Sequence, residues 1–265
     1  MFKHCLNMEI IRNVVGWGNS AGILLPREWK GKEAKIVLID RSLQIKKEVF
    51  DILDDYLDDI LGIYLVGSYA RGEENSKSDV DVLVITNKIN KIIKSGKYDV
   101  IMLPKETYEK QLENDILPLL PMIKEARTLL NSNLIEKYKN TPLTRKNLRF
   151  HIQTTKSAMR VVREAIKLSK IDKKDCGDSI AYSLILRLRE AYIVGCLIKN
   201  RKFSNKELLG LIDKIAGSRE AYEGYLRVKN DKKREEKLKT CEAEKLMSYI
   251  LDRIDEQNKW VKRRR

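Results

Sequence analysis

Apolar and polar positions change rhythm several times along the chain. Between residues 42 and 60, Ile45, Val49, Ile52, Leu53, Tyr56 and Leu57 recur at steps of three and four, which predicts one amphipathic helix. Asp51, Asp54, Asp55, Asp58 and Asp59 occupy its other side; a solvated polar face is the ordinary reading of such a cluster, and a metal site the rarer one. Two apolar runs, Ile63–Val66 and Val80–Ile85, then bracket a polar turn and predict strands. A short helix over Pro104–Glu113 and a strand over Ala126–Leu130 would complete a small mixed sheet.

After Asn140-Thr141-Pro142 the helical period returns and stays. Proline pushes the residue before it out of the helical region, so a boundary is placed there. Leu148, Ile152, Thr155, Met159, Val162 and Ile166 mark one helix, and Ala181, Leu184, Leu188 and Ile198 a second. Ser204-Asn205-Lys206-Glu207 resembles a capping box opening a third, and Leu246 to Ile254 mark the last. A four- or five-helix antiparallel bundle is expected. Ahead of all this, residues 9–15, 23–25 and 34–39 read as strands separated by the turn-like Gly16–Gly22.

The 265 residues carry 53 Lys and Arg against 38 Asp and Glu, a formal charge of +15, which favours a polyanionic partner. Divided at the two breaks, residues 1–41 hold net +3, residues 42–140 net −3 and residues 141–265 net +15. Charges interrupt every apolar stretch before the roughly 18 residues of a membrane span. Glu9 and Arg12 stand where a signal peptide needs its apolar run, so a cytoplasmic protein without membrane contact is expected. Four scattered cysteines without a CxxC pair, and only His4 and His151, argue against zinc sites or a disulfide framework. The runs Lys229–Lys239 and Lys262–Arg265 read as solvated faces or frayed ends, with phosphate contact as the alternative.

The polar turn and its flanking strands carry the chemistry. Along a strand Asp79 and Asp81 point to one face while Val80 and Val82 point to the other. Two carboxylates so placed repel unless a cation neutralises them, and Mg²⁺ is the natural counter-charge for oxygen ligands. Gly67-Ser68 follows a strand and opens a turn or helix, where close backbone approach and freed N–H groups suit phosphate. The bland alternative has Asp79 capping a turn and Asp81 on an exposed strand face. No GxxxxGK[ST] string is present, so a P-loop reading fails.

Gly67-Ser68-Tyr69-Ala70-Arg71-Gly72 followed by Ser78-Asp79-Val80-Asp81 resembles the signature of polymerase-β-like nucleotidyltransferases, in particular their minimal prokaryotic branch. The resemblance implies that Asp79 and Asp81 ligate two metal ions, with a third carboxylate on a later strand; Asp99, in Lys97–Leu103, fits that place and would help to deprotonate the nucleophile. By the same resemblance Gly67 and Ser68 hold nucleotide phosphates and Arg71 is a phosphate contact. Trp17–Arg27 resembles the swapped-hairpin DNA-binding modules of the AbrB and SpoVT type, which dimerise; Arg12, Arg27, Lys30 and Lys32 would then face DNA phosphates. Arg187–Tyr192, Phe203–Leu208 and Tyr222–Val228 loosely resemble the bundles of kanamycin-nucleotidyltransferase and HEPN type. Arg145 and His151 reproduce the HEPN Arg-x5-His spacing, read as coincidence because that motif normally lies late in the bundle.

These readings give an α+β protein in three parts: a small β module (1–41), a mixed-sheet nucleotidyltransferase domain (42–140) and a basic α-helical bundle (141–265). The expected reaction is Mg²⁺-dependent transfer of a nucleoside monophosphate from an NTP, ATP foremost, to a hydroxyl acceptor facing the bundle, in a homodimer. The acceptor's class stays open. The competing expectation is an antitoxin-like DNA-binding regulator whose transferase domain modifies or merely binds a partner protein.

Overall fold

The computed structural model describes residues 10, 12, 14–36, 41–75 and 78–263. It forms two compact units, Met1–Ile45 and Lys46–Arg265. In the first, β1 (Val15–Trp17) and β2 (Ser20–Gly22) make a hairpin in which Val15 pairs with Gly22 and Trp17 with Ser20. Gly18, at φ +58, supplies the positive dihedral that a two-residue hairpin loop needs. The Gly16–Gly22 stretch expected as a turn is therefore strand, turn and strand. Ile23–Leu25 is irregular instead of extended, and Arg27–Trp29 is a 3-10 turn. Of the remaining strands expected here, residues 10, 12, 14 and 34–36 are not in a strand, and residues 9, 11, 13 and 37–39 lie outside the described residues.

Helix α1 (Arg41–Ile52) is shorter than its apolar period predicts. At Leu53 the chain tightens into a 3-10 segment, Asp54–Asp59, and leaves it directly into a strand. The reason lies at Asp59, whose carboxylate accepts the N–H groups of Lys88 and Ile89 at 3.0 and 2.9 Å, tying the end of the segment to the turn after β4 (Val80–Thr86). Those bonds hold its pKa below the ordinary carboxylate value.

Five strands form the sheet of the second unit: β3 (Ile60–Val66), β4, β5 (Lys91–Ser95), β6 (Tyr98–Pro104) and β7 (Arg127–Leu130), in the order β5-β6-β4-β3-β7. Only the β4–β6 pair is parallel. The small helix α2 (Gly67–Arg71) follows β3. Strand β5, which periodicity did not reveal, carries the chain back so that β6 can lie beside β4. Helices α3 (Lys105–Asn114), α4 (Leu120–Glu125) and α5 (Ser132–Lys139) cover the face that carries Tyr64, Val66, Leu83 and Ile85.

The bundle follows as α6 (Arg145–Ile171), α7 (Asp178–Ile198), α8 (Asn205–Ala216), α9 (Glu220–Lys229) and α10 (Thr240–Arg263). The short strands β8 (Cys176–Gly177) and β9 (Glu236–Leu238) pair across it, so the basic run is a solvated face, its charged side chains mostly exposed, with part of it held in a ladder and not frayed. Helix α6 starts with a reciprocal cap: Thr144 N–H donates to Asn147 Oδ1 at 2.8 Å and Asn147 N–H to Thr144 Oγ1 at 3.2 Å. Asn147 also donates to the carbonyls of Leu112 and Pro142, fastening the cap to α3. Leu148, Val194 and Val261 of the bundle join the sheet's hydrophobic core, and a second core lies between α6, α7, α8, α9 and α10. His151 is buried among these helices with its Nε2 against Gln257 Oε1 at 3.1 Å. Gln257 Nε2 donates to the Ala191 carbonyl at 2.7 Å, which fits a structural role for this histidine.

Candidate active site

Alternation along β4 puts Asp81 on the same face as Leu83 and Ile85, the face that turns toward α3–α5 and the bundle. Register does the rest. Asp81 is the ladder partner of Val66 in β3 on one side and of Asp99 in β6 on the other. Partners in a parallel ladder point to the same face, so Asp81 and Asp99 stand side by side. Asp79 precedes the strand by one residue and is exposed, while Asp81 and Asp99 are half-buried.

Gly67 sits where β3 turns into α2, with φ +70. A Cβ built on it would lie 2.1 Å from Asp81 Oδ2 and 2.9 Å from its Cγ. The backbone thus approaches the carboxylate as closely as only glycine permits. Gly67 N–H donates to Glu125 Oε1 at 2.8 Å, and the other oxygen of Glu125 accepts from Arg71 Nη1 at 2.7 Å. Arg71 Nε also meets Glu73 at 2.9 Å. Ser68 is half-buried, and its carbonyl receives the N–H groups of Gly72 and Glu73, which closes the turn.

Electrostatically the site is acidic and under-compensated. Asp81 has its pKa raised, first by burial and then by the charges of Asp99 and Asp79, against the pull of Arg71 and Lys229. Asp99 has an ion pair with Lys94 of β5 at 3.3 Å, but Lys94 is exposed and such pairs contribute little. Burial tends to lower the Arg71 pKa, yet its bonds to Glu125 and Glu73 carry it upward. Burial pushes Glu125 up despite Arg71.

The bundle closes over this corner. The Arg71 and Arg189 guanidiniums lie over the Phe203 ring at 5.3 and 5.5 Å from its centroid. Glu73 lies near the Ser204 side chain and the Asn205 backbone at the start of α8; burial pushes its pKa up, yet Arg71 and these two groups hold it below the ordinary carboxylate value. Glu125 and Lys94 escaped sequence reasoning: one acid ending a short helix and one lysine on an unforeseen strand have no period or spacing to mark them, while only a loose bundle resemblance marks Phe203.

Among the described residues no three His, Cys, Asp or Glu side chains already converge tightly enough to clasp a metal ion. The donor set nevertheless suits a hard divalent cation: carboxylate oxygens, Asp81 carrying a burial cost that positive charge would relieve, and a glycine that leaves space beside it. In the first unit, Arg12, Arg27, Lys30 and Lys32 are exposed. Among the described residues no helix is long and apolar enough to cross a membrane.

Residues 46–152 match the nucleotidyltransferase domain family. A Methanocaldococcus jannaschii chain named for protein adenylyltransferase activity is 35% identical over 91 residues, which cover 30% of this chain and 88% of that relative. Two solved structures share 13–14% identity. One is a nucleotidyltransferase-like protein of Exiguobacterium sibiricum, covering 80% of this chain and 75% of its own, at TM-score 0.37. The other is the spectinomycin adenyltransferase AAD(9) of Enterococcus faecialis with ATP and spectinomycin, covering 81% and 99%, at TM-score 0.40. Both scores are too low to carry an argument.

Proposed function

The chain belongs to the nucleotidyltransferase domain family, and from that premise we propose that it transfers a nucleoside monophosphate, AMP foremost, from an NTP to a hydroxyl acceptor. The observation that carries this reading is the pairing of Asp81 with Asp99 beside Gly67, where backbone and two carboxylates meet. Asp79, Asp81 and Asp99 would hold Mg²⁺, two ions as the family resemblance implies, which when bound neutralises charge on the attacking and leaving oxygens. Gly67 and Ser68 would line the phosphate path and Arg71 would flank it, a phosphate taking over the Gly67 N–H and an Arg71 nitrogen that Glu125 holds here.

Asp99 takes the proton of the acceptor hydroxyl. The acceptor oxygen forms a bond to the α-phosphorus; the bond from that phosphorus to the bridging oxygen breaks, and pyrophosphate leaves with the electron pair. The relative's name favours a protein hydroxyl as acceptor. The swapped-hairpin resemblance supports a separate DNA-binding and dimerising role for residues 1–41, through Arg12, Arg27, Lys30 and Lys32.

Full-length protein incubated with α-labelled ATP, Mg²⁺ and candidate protein, nucleic-acid and small hydroxyl acceptors, itself included, tests the reading. Labelled product that vanishes in Asp81→Asn is expected. Label that persists in Asp81→Asn, or none with any acceptor, overturns it.

A further inference from the structure

Helix α6 is apolar on two sides. Leu148 faces the sheet's core, and Met159, Val162 and Ile166 face the bundle core. On the far side Phe150, Val161, Leu168 and Ile171 are 57–74% exposed. At 100° per residue these four fall within about 80° of one another, with Ser157 and the exposed Glu164 among them and Thr154 at the edge, so they form one stripe whose acid is tied to Lys167. It runs 22 residues from Phe150 to Ile171, roughly 32 Å at 1.5 Å per residue. An open cavity of about 750 Å³, floored by Thr154, Ser157 and Leu251 of α10, lies alongside.

A single flank of that stripe is basic. Arg145, Arg149, Lys156, Arg160, Arg163 and Lys167 recur at helical spacing, and the whole helix holds eight basic residues against one acid, Glu164. Lys156 pairs with Asp255 at 2.6 Å and Lys167 with Glu164 at 2.9 Å. Arg145, Arg149, Arg160 and Arg163 have no carboxylate partner among the described residues.

We propose that this face of α6 docks an acidic amphipathic helix of a partner protein, its apolar side on the stripe and its carboxylates on the arginine flank. Charge selects that occupant. A second copy would bring another α6 with eight basic residues and one acid, leaving the arginines unanswered whether the helices ran parallel or antiparallel. A nucleic acid would answer the arginines but has no use for four exposed apolar side chains flanking them.

The test uses full-length protein and a fluorescent 22-residue peptide with leucines on one helical face and glutamates beside them. Anisotropy is compared with a scrambled peptide of identical composition and with a lysine-for-glutamate version. The ordered acidic peptide should bind at least tenfold more tightly than either. Val161→Glu/Leu168→Glu and Arg160→Glu/Arg163→Glu should each weaken it at least tenfold while melting normally. Equal binding of the scrambled peptide overturns the proposal. So does tighter binding of a 20-nucleotide RNA that ignores Val161→Glu/Leu168→Glu, or self-association in sedimentation that this variant abolishes.

Discussion

Replacing Gly67 by alanine should cost more activity than stability. Two terms add in the folded state. Holding alanine at φ +70 costs about 1–2 kcal/mol. Its Cβ would also lie 2.1 Å from Asp81 Oδ2, 2.9 Å from Cγ and 3.2 Å from Cβ. Turning the carboxyl about its Cβ–Cγ bond relieves only the first contact, so the whole side chain must leave its rotamer well, at about 0.5–1.5 kcal/mol. The sum is roughly 2–3 kcal/mol, less the few tenths that alanine recovers by stiffening the unfolded chain. Gly96→Ala supplies the control, because Gly96 has φ +55 and nothing within 4 Å of an added Cβ. The stability gap between the two variants in urea melts isolates the Asp81 contact. In nucleotide transfer Gly96→Ala should behave as wild type, while Gly67→Ala loses about 100-fold or more, the scale of a 1 Å displacement at a reacting centre. Gly67→Ala as stable as Gly96→Ala, with transfer within threefold of wild type, would refute the geometry argued for this corner.

Other perturbations read the same structure. A carboxyl with a raised folded pKa binds its proton more tightly folded than unfolded, so the metal-free chain is favoured below the ordinary carboxylate value and loses that advantage as pH rises through the raised one. Asp81→Asn should therefore melt at or above wild type at pH 7 without Mg²⁺, the gap closing toward acid, and only wild type should gain Tm from added Mg²⁺; a lower Tm for the variant at every pH is the contrary result. Arg71→Met strands the buried Glu125 carboxylate and should destabilise by about 3 kcal/mol, with Arg71→Met/Glu125→Gln recovering part of it in a double-mutant cycle. Asp178 accepts Arg227 Nε and Nη2 at 2.8 Å each and the Glu235 N–H at 2.9 Å, and the Arg227 bonds foremost hold its pKa low. Asp178→Asn should cost about 2–3 kcal/mol at pH 7. A lowered folded pKa means stability lost as pH falls through it, so that difference should shrink on acidification; a constant difference from pH 7 to 3 would mean the charge contributes nothing.

Spacing alone made legible those features that depend on near neighbours in the chain. The helical period located α6, α7 and α10, because an amphipathic face repeats every few residues, and a capping-box spacing located the start of α8. Asp81 on the same face as Leu83 and Ile85 is a property of any strand, although Asp79, expected beside it, stands just ahead of β4; Gly67-Ser68 beginning a turn is read from type and place. Sequence also divided the charge, leaving the acidic part around the carboxylates and the surplus in the bundle. Tertiary structure decided what depends on register and closure. Residue 99 lies beside Asp81 because β4 and β6 run parallel, a pairing made possible by β5, which has no apolar period of its own. Glu125 reaches Gly67 and Arg71 across more than fifty residues of chain. The early end of α1 follows from bonds that Asp59 makes with a turn 29 and 30 residues away. Such contacts lie outside the range of any local pattern: their free energy exists only once the chain has closed its loops, and no window along the sequence contains both partners.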